Sequence, residues 1–314
     1  MFKKKYRVYI TRKIRKEAFA LLSDHFDVYE NPCDSPLSYL ELCEIVKNYD
    51  AILSTISEKI DSFILSHADK VKVIANYATG TDNIDVKVAQ QKGIKVLHLS
   101  EAVTNSTADL TFALLLSMIR KIPQALEYVK NGQWTCWEPE LLLGEELFGK
   151  TFGIIGYGRI GQAVAKRAHG FGLKVIHYHP HRSIISGYSQ QLSLDELFAE
   201  SDYISLHVPL TNETKKMLSF KEFKKMKKKP IVINMARGSV IDSVDLVRAL
   251  GLGLVRGVAL DVTDPEPISP HHPLCHFSNC FVIPHLGSAT LDCRSEMAIQ
   301  SARQIINYFH DLFL

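Results

Sequence analysis

A glycine-rich turn set between a strand and a helix constrains this chain more than any other feature. Gly156-Tyr157-Gly158-Arg159-Ile160-Gly161 follows an apolar run, Phe152 to Gly156, and opens a stretch with helical spacing. The bare pattern is weak, because loops collect glycine, but in a strand–turn–helix context it is the fingerprint of a dinucleotide site. Its first glycine permits the tight turn, the second lets backbone reach a pyrophosphate, and the third lets helix and strand pack closely. The N-terminus of the helix adds unpaired N–H groups and the positive end of a dipole.

A turn of this kind belongs in a parallel sheet joined by helical crossovers. The rest of the chain agrees. Strands are expected at Tyr6–Ile10, Ala51–Ser54, Val71–Asn76 and Lys95–His98, with helices at Ile14–Ser23, Ser38–Val46, Ser62–Ser66 and Val86–Gln91 between them. Thr104 to Ile119 is apolar on most faces, with Pro123 beyond its end, and reads as a buried helix connecting two domains. A second run of strands follows at Phe152–Gly156, Lys174–Tyr178, Tyr203–Val208, Ile231–Asn234, Val255–Asp261 and Phe281–Ile283, closed by a helix from Leu291 to Phe309. At 314 residues the chain is long enough for about two domains, each with its own core.

Composition removes several alternatives. Apolar residues make up 46% and charged residues 23%, ordinary values for a globular protein. A formal charge of +3 is too small to argue for a nucleic-acid partner. The apolar stretch Phe112 to Ile119 falls short of the ~20 residues that cross a bilayer, and Val8-Tyr9-Ile10 is too short for a signal-peptide core. No C-x-x-C pair occurs among the six cysteines, so reduced thiols in a cytoplasm are expected, with no metal site. The lysine run Lys224 to Lys229 reads as a solvated helix end ahead of a strand.

Dinucleotide folds usually carry an acidic residue ~20 positions after the glycines, where it takes the ribose 2′-hydroxyl. Here that position is His179, in Tyr178-His179-Pro180-His181-Arg182, and no Asp or Glu occurs from Leu147 to Leu194. A carboxylate repels a 2′-phosphate and a guanidinium pairs with one, so Arg182 favours NADP(H), with NAD(H) also admissible.

Three later segments place polar residues just beyond strands: Asn234-Met-Ala236-Arg237-Gly-Ser-Val, Leu260-Asp261-Val-Thr-Asp-Pro-Glu266-Pro and Pro284-His285-Leu-Gly-Ser. Ligands of open α/β sheets bind outside the carboxyl ends of strands, so Arg237, Glu266 and His285 can converge beside a dinucleotide. That trio suits hydride transfer to a ketone. An imidazolium supplies the proton that the forming alkoxide needs, and a neighbouring carboxylate favours the protonated ring. A guanidinium clamps a 2-keto acid's carboxylate and polarises the adjacent carbonyl.

With these segments in order, the sequence resembles the D-isomer-specific 2-hydroxyacid dehydrogenases nearly end to end. The likeness also covers Asn76-Tyr-Ala-Thr79-Gly80-Thr-Asp-Asn-Ile-Asp85, Ala108-Asp109 and His207-Val208-Pro209-Leu-Thr-Asn-Glu-Thr214. It implies a flavodoxin-like substrate domain, residues 1–98 plus 286–314, with a Rossmann dinucleotide domain, residues 99–285, inserted in it. The active cleft would lie at their junction and close by a hinge. By the same likeness Arg237 binds substrate, Glu266 orients His285, and His285 is the acid/base. Backbone amides at Thr79 and Gly80 hold the substrate carboxylate. Cofactor contacts fall to Thr107, the loop from Gly156 to Gly161, His179, Arg182, Val208, Pro209, Thr214, Ala236, Asp261 and His285, with Asp261 at the nicotinamide amide.

Two stretches are most similar to the glyoxylate/hydroxypyruvate reductases of that family: Asn131-Gly-Gln-Trp134-Thr-Cys-Trp137-Glu-Pro139, and Asp261 to Pro267 followed by His272-Pro-Leu. The implied assembly is a homodimer, with Trp134 or Trp137 packed across it. Thr79 and Thr81 depart from the apolar and aromatic residues usual in that group. Ser243 replaces a common acidic residue, and Leu250-Gly-Leu-Gly-Leu is rich in glycine for a helix end. A dinucleotide-sensing corepressor on the same fold is the alternative from another class. Among enzymes, a 2-ketogluconate or phosphoglycerate-type reductase also fits. Glu266 argues against formate dehydrogenase, and a chain closing at Leu314 argues against phosphoglycerate dehydrogenases with regulatory modules.

Overall fold

Twelve short strands, all parallel, organise the computed structural model, which describes residues 6–180 and 186–311. The first five are β1 (Arg7–Ile10), β2 (Asp27–Glu30), β3 (Ala51–Ser54), β4 (Val73–Asn76) and β5 (Lys95–His98). Seven more follow: β6 (Thr151–Ile155), β7 (Lys174–Tyr178), β8 (Gln190–Gln191), β9 (Tyr203–Leu206), β10 (Ile231–Asn234), β11 (Gly257–Leu260) and β12 (Cys280–Val282). Contacts divide the chain into two units, residues 1–103 with 288–314, and residues 104–287. Among the described residues no helix is long and apolar enough to cross a membrane. None of the six cysteines, all among the described residues, is in a disulfide.

The first unit holds a five-stranded sheet in the order β2-β1-β3-β4-β5, the doubly wound flavodoxin-like arrangement. β3 and β4 are buried along their whole length, as strands covered by helices on both faces must be. The closing helix Leu291–Asp311 buries Cys293, Met297, Ala298, Ser301, Ala302, Ile305 and Phe309 on one stripe, the 3.6-residue period of an amphipathic helix. Edge strand β2 has no fully buried residue, so the apolar pattern that marks the other strands is absent from it.

The second unit holds the order β12-β11-β10-β9-β6-β7-β8. The order in which strands are added reverses between β6 and β9, which pair in parallel, and such a switch point is the crevice where these sheets bind ligands beyond their strand ends. Alternate side chains feed two cores: Phe152, Ile154, Ile231, Ile233 and Ala259 on one face, Ile155, Val232, Val258 and Leu260 on the other. The apolar helix Thr104–Ile119 packs on the helix Arg159–Gly170 and beneath β10 and β11, so it is the first element of this unit. Pro123 does not mark a stop. It lies in the first turn of the helix Ile122–Lys130, where a missing N–H costs no hydrogen bond. The helix Ser243–Gly251 forms with the Asp242 side chain capping Val244 and Asp245, and its glycines fall at the end, where Gly253 adopts a positive φ of +63°.

Candidate active site

Each glycine of the turn after β6 has its own reason. Gly156 sits at φ +97°, and a Cβ there would meet the His207 carbonyl oxygen at 2.6 Å. A Cβ at Gly161 would run into the carbonyl oxygen of Gly156. Gly158 has neither constraint: its φ is −78° and a Cβ would find no protein atom within 4 Å. Space on the open side of an uncapped, 12-residue helix N-terminus is the cradle that a pyrophosphate fills, so these residues fit a dinucleotide.

The neighbours of the turn are held firmly. Tyr157 is buried, stacks on His177 with ring centroids 3.7 Å apart, and shares a hydrogen bond of 2.7 Å with the Ser186 hydroxyl. Arg159 and Ile160 open the helix. After β9, the Thr214 hydroxyl donates to the Pro209 carbonyl at 2.6 Å and accepts from the Thr211 N–H at 2.8 Å, which closes the loop following Val208 on itself. His179 lies just past β7, where its carbonyl accepts from the Gln191 side chain. Arg182 lies outside the described residues.

The trio comes from three adjacent strand ends. Arg237 follows β10, Glu266 follows β11 and His285 follows β12. Glu266 Oε1 and His285 Nδ1 are 2.6 Å apart, and the Thr263 N–H donates to the other carboxylate oxygen at 3.2 Å. Burial alone would raise the Glu266 carboxyl. The His285 hydrogen bond and charge, the Thr263 N–H and the Arg237 guanidinium together hold it below the usual carboxylate value. Arg237 is half-buried, with one guanidinium nitrogen donating to the Ala236 carbonyl at 2.8 Å. Buried Asn234 fixes this turn by accepting from the Ala236 N–H and donating to the Arg237 carbonyl. At Gly238 any Cβ would overlap the Thr263 carbonyl, so the loops after β10 and β11 touch there.

His285 has φ +54°, left-handed backbone that non-glycine residues seldom adopt. Asp261 supplies the restraint. Its carboxylate oxygens accept from the Leu286 N–H at 2.5 Å and the Gly287 N–H at 3.0 Å, while its carbonyl accepts from the His285 N–H at 3.0 Å. Burial pushes the Asp261 carboxyl above its usual value against the pull of those amides. Thr107 and Ser106 complete the fastening, both donating to the Gly287 carbonyl, at 3.2 and 2.8 Å. The likeness points Asp261 and Thr107 at the cofactor, and their hold on the histidine loop is what sequence reading missed. A buried acid shortly before Pro265 could not announce partners 25 and 26 positions away.

Thr79 and Gly80 lie in the first unit, on the loop after β4, with Thr79 exposed and Gly80 half-buried. Buried Asn76 ends that strand and donates to the Gly80 carbonyl at 2.8 Å.

Comparison with known proteins bears on the same segments. Residues 112–287 match the family described as D-isomer specific 2-hydroxyacid dehydrogenase, NAD binding domain. A glyoxylate reductase of Korarchaeum cryptofilum is 39% identical over 308 residues, spanning 96% of this chain and 92% of that protein. A crystal structure of a Thermus thermophilus protein is 40% identical, with a TM-score of 0.87 over 94% of both chains. An NADPH-dependent glyoxylate/hydroxypyruvate reductase of Sinorhizobium meliloti, solved with NADP and malonate, is 26% identical. Its TM-score is 0.85, over 97% of this chain and 94% of that one.

Proposed function

This chain belongs to the D-isomer specific 2-hydroxyacid dehydrogenase family, and on that premise we propose that it reduces a short 2-keto acid of the glyoxylate/hydroxypyruvate class to the D-2-hydroxy acid. It uses a nicotinamide dinucleotide, with NADPH favoured over NADH. The observation that carries this reading is the contact of 2.6 Å between His285 and Glu266, beside a strand end that presents Arg237.

The bound dinucleotide supplies the hydride for the C2 carbonyl. His285 supplies the proton: Nδ1 is committed to Glu266, so Nε2 faces the reaction and gives its proton to the carbonyl oxygen. Glu266 stays ionised and keeps the ring oriented through its hydrogen bond to Nδ1. Arg237 grips the substrate carboxylate and draws charge toward the developing alkoxide, and the Thr79 and Gly80 amides hold the same carboxylate. The turn from Gly156 to Gly161 carries the pyrophosphate, with Thr107, Val208, Pro209, Thr214, Ala236 and Asp261 lining the remaining length. By sequence position His179, and Arg182 outside the described residues, would be the contacts of a 2′-phosphate. The NADP bound to the Sinorhizobium meliloti relative supports that preference.

The assembly proposed is a homodimer. Ile122, Leu126 and Val129, 45–57% exposed at helical spacing, and Trp134 and Trp137, 62% and 81% exposed, form its contact surface. Light scattering on the purified protein checks it. The activity test is NADPH or NADH oxidation at 340 nm with glyoxylate, hydroxypyruvate, pyruvate and 2-ketogluconate, using wild type and His285→Ala. Turnover that the variant loses by about 10²-fold or more supports the assignment. Dinucleotide binding without turnover on any keto acid overturns it.

A further inference from the structure

Asn76 is wholly buried at the carboxyl end of β4 and makes a bond with each of its amide atoms. Its Oδ1 accepts from the Ser54 hydroxyl at 3.1 Å, and its Nδ2 donates to the Gly80 carbonyl at 2.8 Å and to Asn83 Oδ1 at 2.9 Å. Asn83 in turn donates to the Thr55 and Glu58 carbonyls, both at 3.0 Å. The buried Glu58 accepts from the Thr11 hydroxyl and from the Thr55 N–H and hydroxyl, so the network is anchored on the ends of β1 and β3.

This network dictates which way the loop faces. The Gly80–Thr81 peptide is trans and planar, so its C=O and N–H point in opposite directions. Drawing the Gly80 carbonyl inward to Asn76 therefore turns the Thr81 N–H away from the protein interior. Among the described residues, the backbone N–H groups of Thr79, Gly80 and Thr81 donate to no acceptor. Amides left open in this way can donate to an anion.

We propose that Asn76 is a positioning residue for substrate binding: it sets the 79–81 loop so that Thr81 contributes a third N–H to the substrate carboxylate. The inference rests on the proposed reduction of a 2-keto acid and goes beyond it in assigning Asn76 and Thr81. Removing the Asn76 amide frees the Gly80 carbonyl to turn outward, where it repels a carboxylate. The loss falls on substrate capture, because His285, Glu266 and Arg237 are carried by the other unit.

The test compares Asn76→Ala and Ser54→Ala with wild type by steady-state kinetics and by calorimetric titration of the NADPH-loaded enzyme with oxamate. Ser54→Ala removes only the hydroxyl that orients Asn76 and serves where Asn76→Ala does not fold. Expected are a KM for the keto acid raised about tenfold in Asn76→Ala and about threefold in Ser54→Ala, the loss of one or part of one hydrogen bond. Both kcat and NADPH affinity should stay near wild type, and oxamate affinity should fall in step with KM. A merely structural role would lower kcat or cofactor affinity together with KM, and that pattern, or an unchanged KM, overturns the proposal. If wild type binds oxamate but turns over no keto acid, the reductase reading fails while weaker oxamate binding by the variants still upholds the loop assignment. Absence of oxamate binding to wild type overturns both.

Discussion

Glu266 Oε1 stands 2.6 Å from His285 Nδ1 although the two residues are 19 apart in sequence and follow different strands. An ionised partner at that distance holds the ring by a charge-assisted hydrogen bond, stronger than one between neutral groups. Glu266→Gln keeps the shape and removes the charge. The expected outcome is a kcat lower by about 10²-fold with dinucleotide affinity near wild type. A variant with wild-type kcat would show that the carboxylate does not act through His285.

The two later glycines of the turn should respond to alanine in opposite ways. At Gly158 the added methyl meets no protein atom within 4 Å, so thermal stability should hold while dinucleotide affinity drops about tenfold or more. At Gly161 the methyl overlaps the Gly156 carbonyl, and backbone must move. Overpacking of this kind costs about 1–3 kcal/mol, more than the ~1 kcal/mol that alanine gains over glycine in a helix. Differential scanning calorimetry beside a fluorescence titration with NADPH separates the two cases. Equal effects of both variants on melting and on binding would refute the distinction.

Asp261 is buried and accepts from two consecutive amides, a pattern that only a carboxylate satisfies fully. In Asp261→Asn one oxygen becomes an NH2 group that faces a donor. That mismatch should cost about 1–3 kcal/mol in urea unfolding and lower kcat, because the loop it releases carries His285. An unchanged unfolding midpoint would mean that the amide contacts carry no weight.

His207 gives the pH dependence of folding a sign. Its Nδ1 is buried without a hydrogen-bond partner, and burial pushes the ring down from 6.5 to about 3. Between those values the unfolded chain binds a proton that the folded one excludes, so stability falls as pH drops through 6.5 toward 3. Linkage sets the loss from pH 7 to pH 5 at about 2 kcal/mol. His207→Gln should flatten that part of the curve, measured by chemical denaturation at both pH values. Parallel losses in wild type and variant would assign the effect elsewhere.

Much of this was legible in sequence. The bounds of β3, β7 and β10 coincide with apolar runs, because parallel strands inside a sheet are covered on both faces and carry few polar interruptions. β2 and β8 escaped notice for the converse reason. The residues Asp27–Glu30 lie at an edge and are only partly buried, and Gln190–Gln191 is polar throughout. Helix Ile122–Lys130 was hidden by Pro123, whose effect depends on which turn of a helix it occupies. Within the site, Arg237, Glu266 and His285 could be picked out as polar residues following apolar strands. Asp261 and Asn76 could not be assigned their roles, since each acts through backbone atoms that only the folded chain brings near.

The left-handed backbone at His285 has a consequence for how this protein can vary. At φ +54° a histidine carries a conformational cost of order 1 kcal/mol that glycine does not. Substitution by glycine at this position would therefore be rewarded in fold stability at the moment it removes the proposed proton donor. A lineage released from the need for catalysis should drift toward glycine or asparagine here, and its descendants should be sturdier proteins that have stopped being enzymes.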